Sequence, residues 1–279
     1  MDPAARATGT SVDWFGVSGS TADDERLAAL YDLDVRLDDP AIDWFRGLAR
    51  MTGAPVLELG VGTGRVAIPL AKDGHEVVGI DRSPAMLARA AARAKEQRVR
   101  LTLVEADMRA LSLARTFPLV IIPFNTFLML TPDERWACLA RCREHLTPTG
   151  RLAIDVFQPD PNVIAGRDAA VREEWRRADR ETGRMVTKFP STRATVDETT
   201  FRWWFDEEQV GGAIKRIARE ATLHFLYRRE AEIMFAAAGF EIDSVHGDYD
   251  GAAVSGTSAR LLFVLRRRER GSARERRRR

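Results

Sequence analysis

The sequence predicts a doubly wound α/β fold, in which a mostly parallel sheet carries helices on both faces. Three observations support this. From residue 54 onward, short apolar runs alternate with segments of helical periodicity, the pattern of consecutive βαβ units. The first apolar run enters a glycine-rich turn, Gly60-Val61-Gly62-Thr63-Gly64. The second and third runs lead into acids, Asp81 and Asp107, where a parallel sheet presents its ligand-binding end.

The elements follow in order. Strands are expected at Val56–Leu59, Glu76–Ile80, Leu101–Val104, Leu119–Ile122 and Arg151–Phe157, with helices near Arg65–Lys72, Pro84–Gln97 and Pro132–His145 between them. Ahead of this core, Arg26–Leu33 and Pro40–Arg50 repeat apolar residues at helical spacing, so residues 1–53 are expected to form a polar arm and an N-terminal helical cap. The core is assigned to residues 54–160. Beyond it, Arg184–Phe189, Ala194–Phe205 and Gly212–Leu226 read as long, partly alternating strands, with a turn over Asp206–Gly212. Residues 161–226 are thus an expected antiparallel β insertion. Residues 227–266 return through a helix, Arg229–Ala238, stopped by Gly239, to the strands Glu241–Val245 and Ala259–Arg266, which bring the sheet to seven. Residues 267–279 are left as a basic tail, expected to be disordered.

Composition narrows the function classes. The chain has 279 residues, 45% hydrophobic and 30% charged, and no apolar run approaches the roughly 20 residues that span a bilayer. Its N-terminus lacks the basic-then-apolar order of a signal peptide, so a cytoplasmic protein is expected. The two cysteines, Cys138 and Cys142, sit four apart on one predicted helix face and exclude a disulfide framework. His145 follows on that face, but three ligands on one short helix rarely close a metal site. No metal is expected, with Asp248 and Asp250 relevant to magnesium only if a substrate carried a diphosphate. The tail RRRERGSARERRRR is dense in arginine within a net charge of +2. Because the whole chain has four lysines, Lys72, Lys95, Lys188 and Lys215, the arginines fit a GC-rich coding bias better than selection for nucleic acid.

Spacing decides what the glycine turn binds. Dinucleotide sites use G-x-G-x-x-G, and here Arg65 stands where the third glycine belongs. Glu58, two residues before Gly60, suits a cationic or amino-acid ligand and suits a pyrophosphate badly. Asp81 can accept both hydroxyls of a ribose, beside a helix start marked by Ser83 and Pro84. Asp107 can accept a hydrogen bond from an adenine amino group. Acids at three successive strand ends therefore fit a ligand with an amine, a ribose and an adenine.

The runs VLELGVGTGRVAIPLA, VVGIDRSPAML, VEADMRAL, LVIIPFNTF and LTPTGRLAIDVF resemble, in order, the motifs of class I S-adenosylmethionine-dependent methyltransferases across about residues 54–158. The resemblance implies a Rossmann-like seven-stranded sheet and S-adenosyl-L-methionine as cofactor. It assigns the methionine end to Gly60, Gly62 and Gly64, the ribose to Asp81 and the adenine to Asp107. Met86 and Met108 are expected to pack on the adenosine, and Pro123, Phe124 and Asn125 to flank the reactive methyl group. Glu58, Arg65 and Arg82 join the expected cofactor contacts.

The acceptor is expected to be a small molecule methylated on nitrogen, oxygen or carbon, in secondary metabolism. Ile122-Pro123-Phe124-Asn125 departs from the Asn-Pro-Pro-Tyr segment of nucleobase amine methylation, and the insertion resembles the roof of glycine and amino-sugar N-methyltransferases. RNA or protein methylation through the basic tail, and a non-catalytic subunit that binds the cofactor, are the alternatives. An NAD-dependent oxidoreductase conflicts with the glycine spacing and Asp107. The roof offers Glu174, Trp175, Arg193, Trp203 and Trp204, with Tyr249 on a later loop, although alternation points one of the paired tryptophans away. His224 is the first candidate base, Tyr31 is expected to close over the cofactor from the cap, and Glu173 is the third candidate. The exposed strands of the insertion suggest a homodimer.

Overall fold

The computed structural model describes residues 21–35, 40–159 and 171–268; the expected polar arm and most of the basic tail lie outside these. The cap comprises α1, Thr21–Asp34, and α2, Pro40–Thr52. The core runs β1 Val56–Leu59, α3 Ala67–Lys72, β2 Val77–Asp81, α4 Pro84–Glu96, β3 Thr102–Glu105, β4 Phe117–Ile122, α5 Pro132–His145 and β5 Leu146–Phe157. The insertion comprises β6 Trp175–Ala178, β7 Met185–Ala194, β8 Glu198–Glu208 and β9 Ile214–His224. Then α6 Arg228–Ala237, β10 Phe240–His246 and β11 Arg260–Arg267 complete the fold.

Seven strands form one sheet in the order β10-β11-β5-β4-β1-β2-β3. The five core strands are parallel, and β11 lies antiparallel between β5 and β10. All four residues of β1 are buried, as a central strand covered on both faces requires. The chain's winding reverses at β1, which sits between β4 and β2. In such sheets the crevice for a ligand opens at this switch point, outside the carboxyl ends of the strands.

The insertion is a separate antiparallel sheet, β6-β7-β8-β9. It differs from expectation in two places. Ala194 closes β7 instead of opening the next strand, because residues 195–197 turn back through the Thr195 hydroxyl, which accepts from Asp197 N–H and Glu198 N–H at 3.2 Å. β6 was not expected. Its Trp-Arg-Arg-Ala run shows no apolar alternation because Arg176 pairs with Glu208 and Arg177 donates to the Leu33 carbonyl at 2.6 Å.

Helix α1 joins this sheet to the core. Leu27 and Leu30 pack on Val186, Phe205 and Ile217 of the insertion. Each such buried aliphatic contributes about 1.5–3 kcal/mol of transfer free energy. Around them, Asp34 receives Lys188 Nζ at 2.6 Å and Trp175 Nε1 at 2.8 Å, and Arg219 meets Asp24 at 2.7 Å. On the core side, Asp32 accepts from Thr63 Oγ1 at 2.6 Å, from Arg89 and from Arg93, while Arg89 also pairs with Glu181 of the insertion. One carboxylate thus holds the glycine turn, α4 and α1 together.

Candidate active site

A cavity of about 480 Å³ opens at the switch point. Strand β1 contributes Glu58 to its wall, and the turn after it Gly60, Gly62 and Arg65. Asp81, Arg82 and Met86 enter from β2 and the start of α4, and Asp107 and Met108 from the loop after β3. Pro123 and Phe124 follow β4, and Tyr31 comes down from α1.

The glycine turn is built for close approach. Gly60 and Gly62 hold φ of +72° and +52°, where a side chain is strained. A Cβ on Gly60 would come within 2.5 Å of Thr126 Cγ2, whereas one on Gly62 would meet no protein atom within 4 Å. Gly64, at φ +80°, lies off the wall, and a Cβ there would press on Ile68 at 3.0 Å. Asp81 is fixed by two backbone donors, Gly62 N–H to Oδ2 at 2.8 Å and Ser83 N–H to Oδ1 at 2.9 Å. Burial pushes its carboxyl above the usual range, and these donors oppose the shift.

Glu58 is 2% exposed, and its Oε2 has no hydrogen-bond partner. Burial raises its carboxyl well above the ordinary value; the Ala67 N–H works against this and Asp81 with it. A buried, unmatched acceptor on a cavity wall calls for a cationic donor. The sign of the pH effect follows. Below its raised pKa Glu58 is neutral, and as pH rises through that value it becomes able to pair with an ammonium. Affinity for an amino-acid cation is therefore expected to rise as pH passes upward through that raised value, above the ordinary carboxylate range, and Glu58→Gln to flatten the slope in a calorimetric titration. Without ligand, the same raised pKa makes the folded state lose stability as pH rises, a loss that Glu58→Gln removes from the melting curve.

Tyr31 and Arg65 form a hydrogen bond. Burial pushes the phenol up, with Arg65 opposing, so the hydroxyl is neutral at physiological pH. The Arg65 guanidinium also lies 3.8 Å over the Phe124 ring. Phe124 and Asn125 both have positive φ, +53° and +65°, a strained pair for residues other than glycine. Asn125 is not on the wall: its Oδ1 accepts from Phe157 N–H at 2.7 Å and its own N–H donates to the Asp155 carbonyl at 3.0 Å, which holds the turn.

Sequence reasoning missed Asp155, the centre of this support. It is fully buried, and its carboxylate accepts from Phe124 N–H at 3.1 Å, Tyr249 OH at 2.9 Å and Arg260 Nε at 2.8 Å. An acid inside the apolar run Leu-Ala-Ile-Asp-Val-Phe was the available signal, since a buried charge needs partners. Arg109 and Glu134 were missed too. Both line the cavity beside Asp107, whose carboxyl burial would raise but Arg109 holds below the usual range.

Two of the three acid–base candidates are not brought to the wall either. His224 is opposite Glu198 across β8 and β9, with Nδ1 3.0 Å from Glu198 Oε2. Alternation sets Glu198, Thr200, Arg202 and Trp204 on the face turned from α1, where they line a surface groove, and His224 shares that register; Trp203 packs on the α1 side. Glu173 is exposed just before β6, while its neighbour Glu174 pairs with Lys188 at 2.8 Å. The cysteines are buried, and His145 Nε2 accepts from Leu113 N–H at 2.8 Å, which leaves Nδ1–H to donate to the Arg141 carbonyl. Asp248 and Asp250 accept from Tyr249 N–H and Ala252 N–H, both at 2.8 Å, and shape their own loop.

Known proteins share this fold. A family model described as a methyltransferase domain matches residues 56–150. The cypemycin N-terminal methyltransferase of a Streptomyces species is 29% identical over 248 residues, spanning 88% of this chain and 97% of that protein. Among solved structures, S-adenosylmethionine-bound CalS10, an amino pentose methyltransferase of Micromonospora echinaspora involved in calicheamicin biosynthesis, aligns with a TM-score of 0.63 at 28% identity, over 87% of this chain and 96% of that one. The CcbJ methyltransferase of Streptomyces caelestis aligns with a TM-score of 0.69 at 25% identity, over 90% and 100%. Residues 56–150 carry a methyltransferase domain, and the chain is similar over most of its length to S-adenosylmethionine-dependent methyltransferases.

Proposed function

We propose that the chain methylates a small-molecule acceptor, most readily at an amine nitrogen, beneath a roof formed by α1 and the insertion. The observation that carries this reading is the bolting of α1, which brings Tyr31 to the cavity wall, to both the glycine turn and the insertion. The amino pentose and N-terminal methyltransferases among the similar proteins support it.

In this reading Glu58 takes the ammonium of the cofactor's methionine end and Arg65 its carboxylate. Asp81 accepts the ribose hydroxyls, Asp107 the adenine amine, and Met86 and Met108 pack on the adenosine with Arg82 at its edge. Gly60 and Gly62 admit the chain of the ligand, and Pro123 and Phe124 border the methyl group. S-adenosylmethionine would supply a sulfonium methyl group, whose carbon the acceptor's lone pair attacks in line as the C–S bond breaks and the thioether, S-adenosylhomocysteine, leaves. The protein's task is to hold the nucleophile on that line. Tyr31 is the one of the three acid–base candidates on the cavity wall. With its proton retained it is an orienting group, its oxygen accepting a hydrogen bond from the nucleophile. Tyr31→Phe is expected to leave S-adenosylhomocysteine affinity within about threefold and to lower kcat by about 10- to 100-fold. An unchanged kcat would remove Tyr31 from the mechanism.

The experiment that tests the function is transfer of labelled methyl groups from S-adenosylmethionine to a panel of amino sugars, small amines, short peptides, RNA and protein. Turnover on small amines is expected. Labelling confined to RNA or protein would overturn the reading in favour of one built on the basic tail. A cytoplasmic location and a homodimer that pairs through the insertion complete the proposal, the latter checked by light scattering against the 31.2 kDa of one chain.

A further inference from the structure

Asp107 does not stand alone. The backbone N–H of Arg109 donates to its Oδ1 at 2.8 Å, and Arg109 Nε lies 2.9 Å from both oxygens. The guanidinium's second nitrogen, Nη2, closes the fork on Oδ2. A carboxylate offers about four lone-pair positions. Three N–H groups take three of these positions, the backbone N–H on Oδ1, Nη2–H on Oδ2 and Nε–H shared between the two oxygens, with Arg82 Nε at 3.9 Å, beyond hydrogen-bond reach. One acceptor position of the carboxylate is left for a ligand. The remaining nitrogen of Arg109, Nη1, pairs with Glu134 Oε1, and Glu134 Oε2 accepts from Thr131 N–H at 2.9 Å in the capping box that starts α5. Asp107, Arg109 and Glu134 all line the cavity.

We propose that Arg109 is a positioning and specificity-determining residue: anchored by Glu134, it turns Asp107 into a rigid acceptor with a single open position, which selects a purine bearing an exocyclic amine. This rests on the reading that Asp107 meets the adenine. A 6-amino group donates to that position. A 6-oxo group presents a second acceptor to a fixed negative charge and is rejected, since a site built for one hydrogen bond leaves its own polar group unpaired with the wrong ligand. A bidentate fork sets this geometry; a lysine's point charge does not.

The test compares S-adenosylhomocysteine with S-inosylhomocysteine by calorimetry on the full chain, using the wild type, Arg109→Ala, Arg109→Lys and Glu134→Gln. The wild type is expected to prefer the adenosyl ligand by about 100-fold or more. Arg109→Ala and Arg109→Lys are expected to reduce that ratio to below about tenfold, and Glu134→Gln to an intermediate value. A merely structural role would weaken both ligands alike and leave the ratio unchanged, which would overturn the proposal for Arg109. A wild type that does not discriminate would instead remove Asp107 from the adenine. If Arg109→Ala does not fold, the ratios for Arg109→Lys and Glu134→Gln decide in the same way.

Discussion

Asp81→Ala is expected to weaken S-adenosylhomocysteine binding by about 100- to 1000-fold. The carboxylate is already oriented by Gly62 N–H and Ser83 N–H, so it enters the complex with little further ordering. Hydrogen bonds to a charged acceptor contribute roughly 1.5–3 kcal/mol each. Two ribose hydroxyls bound near the lower end of that range together give about 3–4 kcal/mol, and each 1.4 kcal/mol is tenfold in affinity. The loss extends past the missing contacts, because the turn's own N–H groups lose their partner. Calorimetry with the variant and with Asp81→Asn separates the two parts: Asn keeps an acceptor and is expected to recover about tenfold. An Asp81→Ala protein that binds within tenfold of the wild type would remove the ribose role.

Asp155→Ala is expected to lower both stability and turnover while making no direct change to the cofactor's wall. The substitution removes the carboxylate that the Arg260 guanidinium, the Tyr249 hydroxyl and the Phe124 N–H share. Removing one partner of a buried ion pair costs about 3–5 kcal/mol. For a chain of this size that corresponds to a fall in Tm of about 10 °C. The strained Phe124–Asn125 turn also loses its anchor, so kcat is expected to drop by about tenfold or more even at temperatures where the variant is folded, a split seen by comparing kcat with circular dichroism. Asp155→Asn, which retains one acceptor, should fall between the two. A variant with native Tm would mean that Arg260 finds another partner.

Much of the core was legible because its signals are local. Apolar runs mark β1 and β4, Ser83 accepts from Met86 N–H at 3.3 Å as an N-cap should, and the three glycines of the turn follow Glu58 closely in sequence. The parts that were not legible depend on partners far away. Nothing near Arg109 announces Glu134, and nothing near Asp155 announces Arg260, which lies 105 residues on. The face taken by His224 was equally hidden, because alternation fixes which residues share a side of a strand but not which side α1 will cover. β6 went unread because an edge strand can be written in arginine when acids and carbonyls elsewhere receive it.

The carboxylate of Asp32 has a consequence for inheritance. It binds Thr63, Arg89 and Arg93, residues drawn from the glycine turn and from α4. A lineage that lost this acid would leave Arg93 without its carboxylate and Arg89 with Glu181 alone, and one that lost an arginine would leave the acid underpaired. These positions are therefore constrained to drift as a set, across three stretches of the gene.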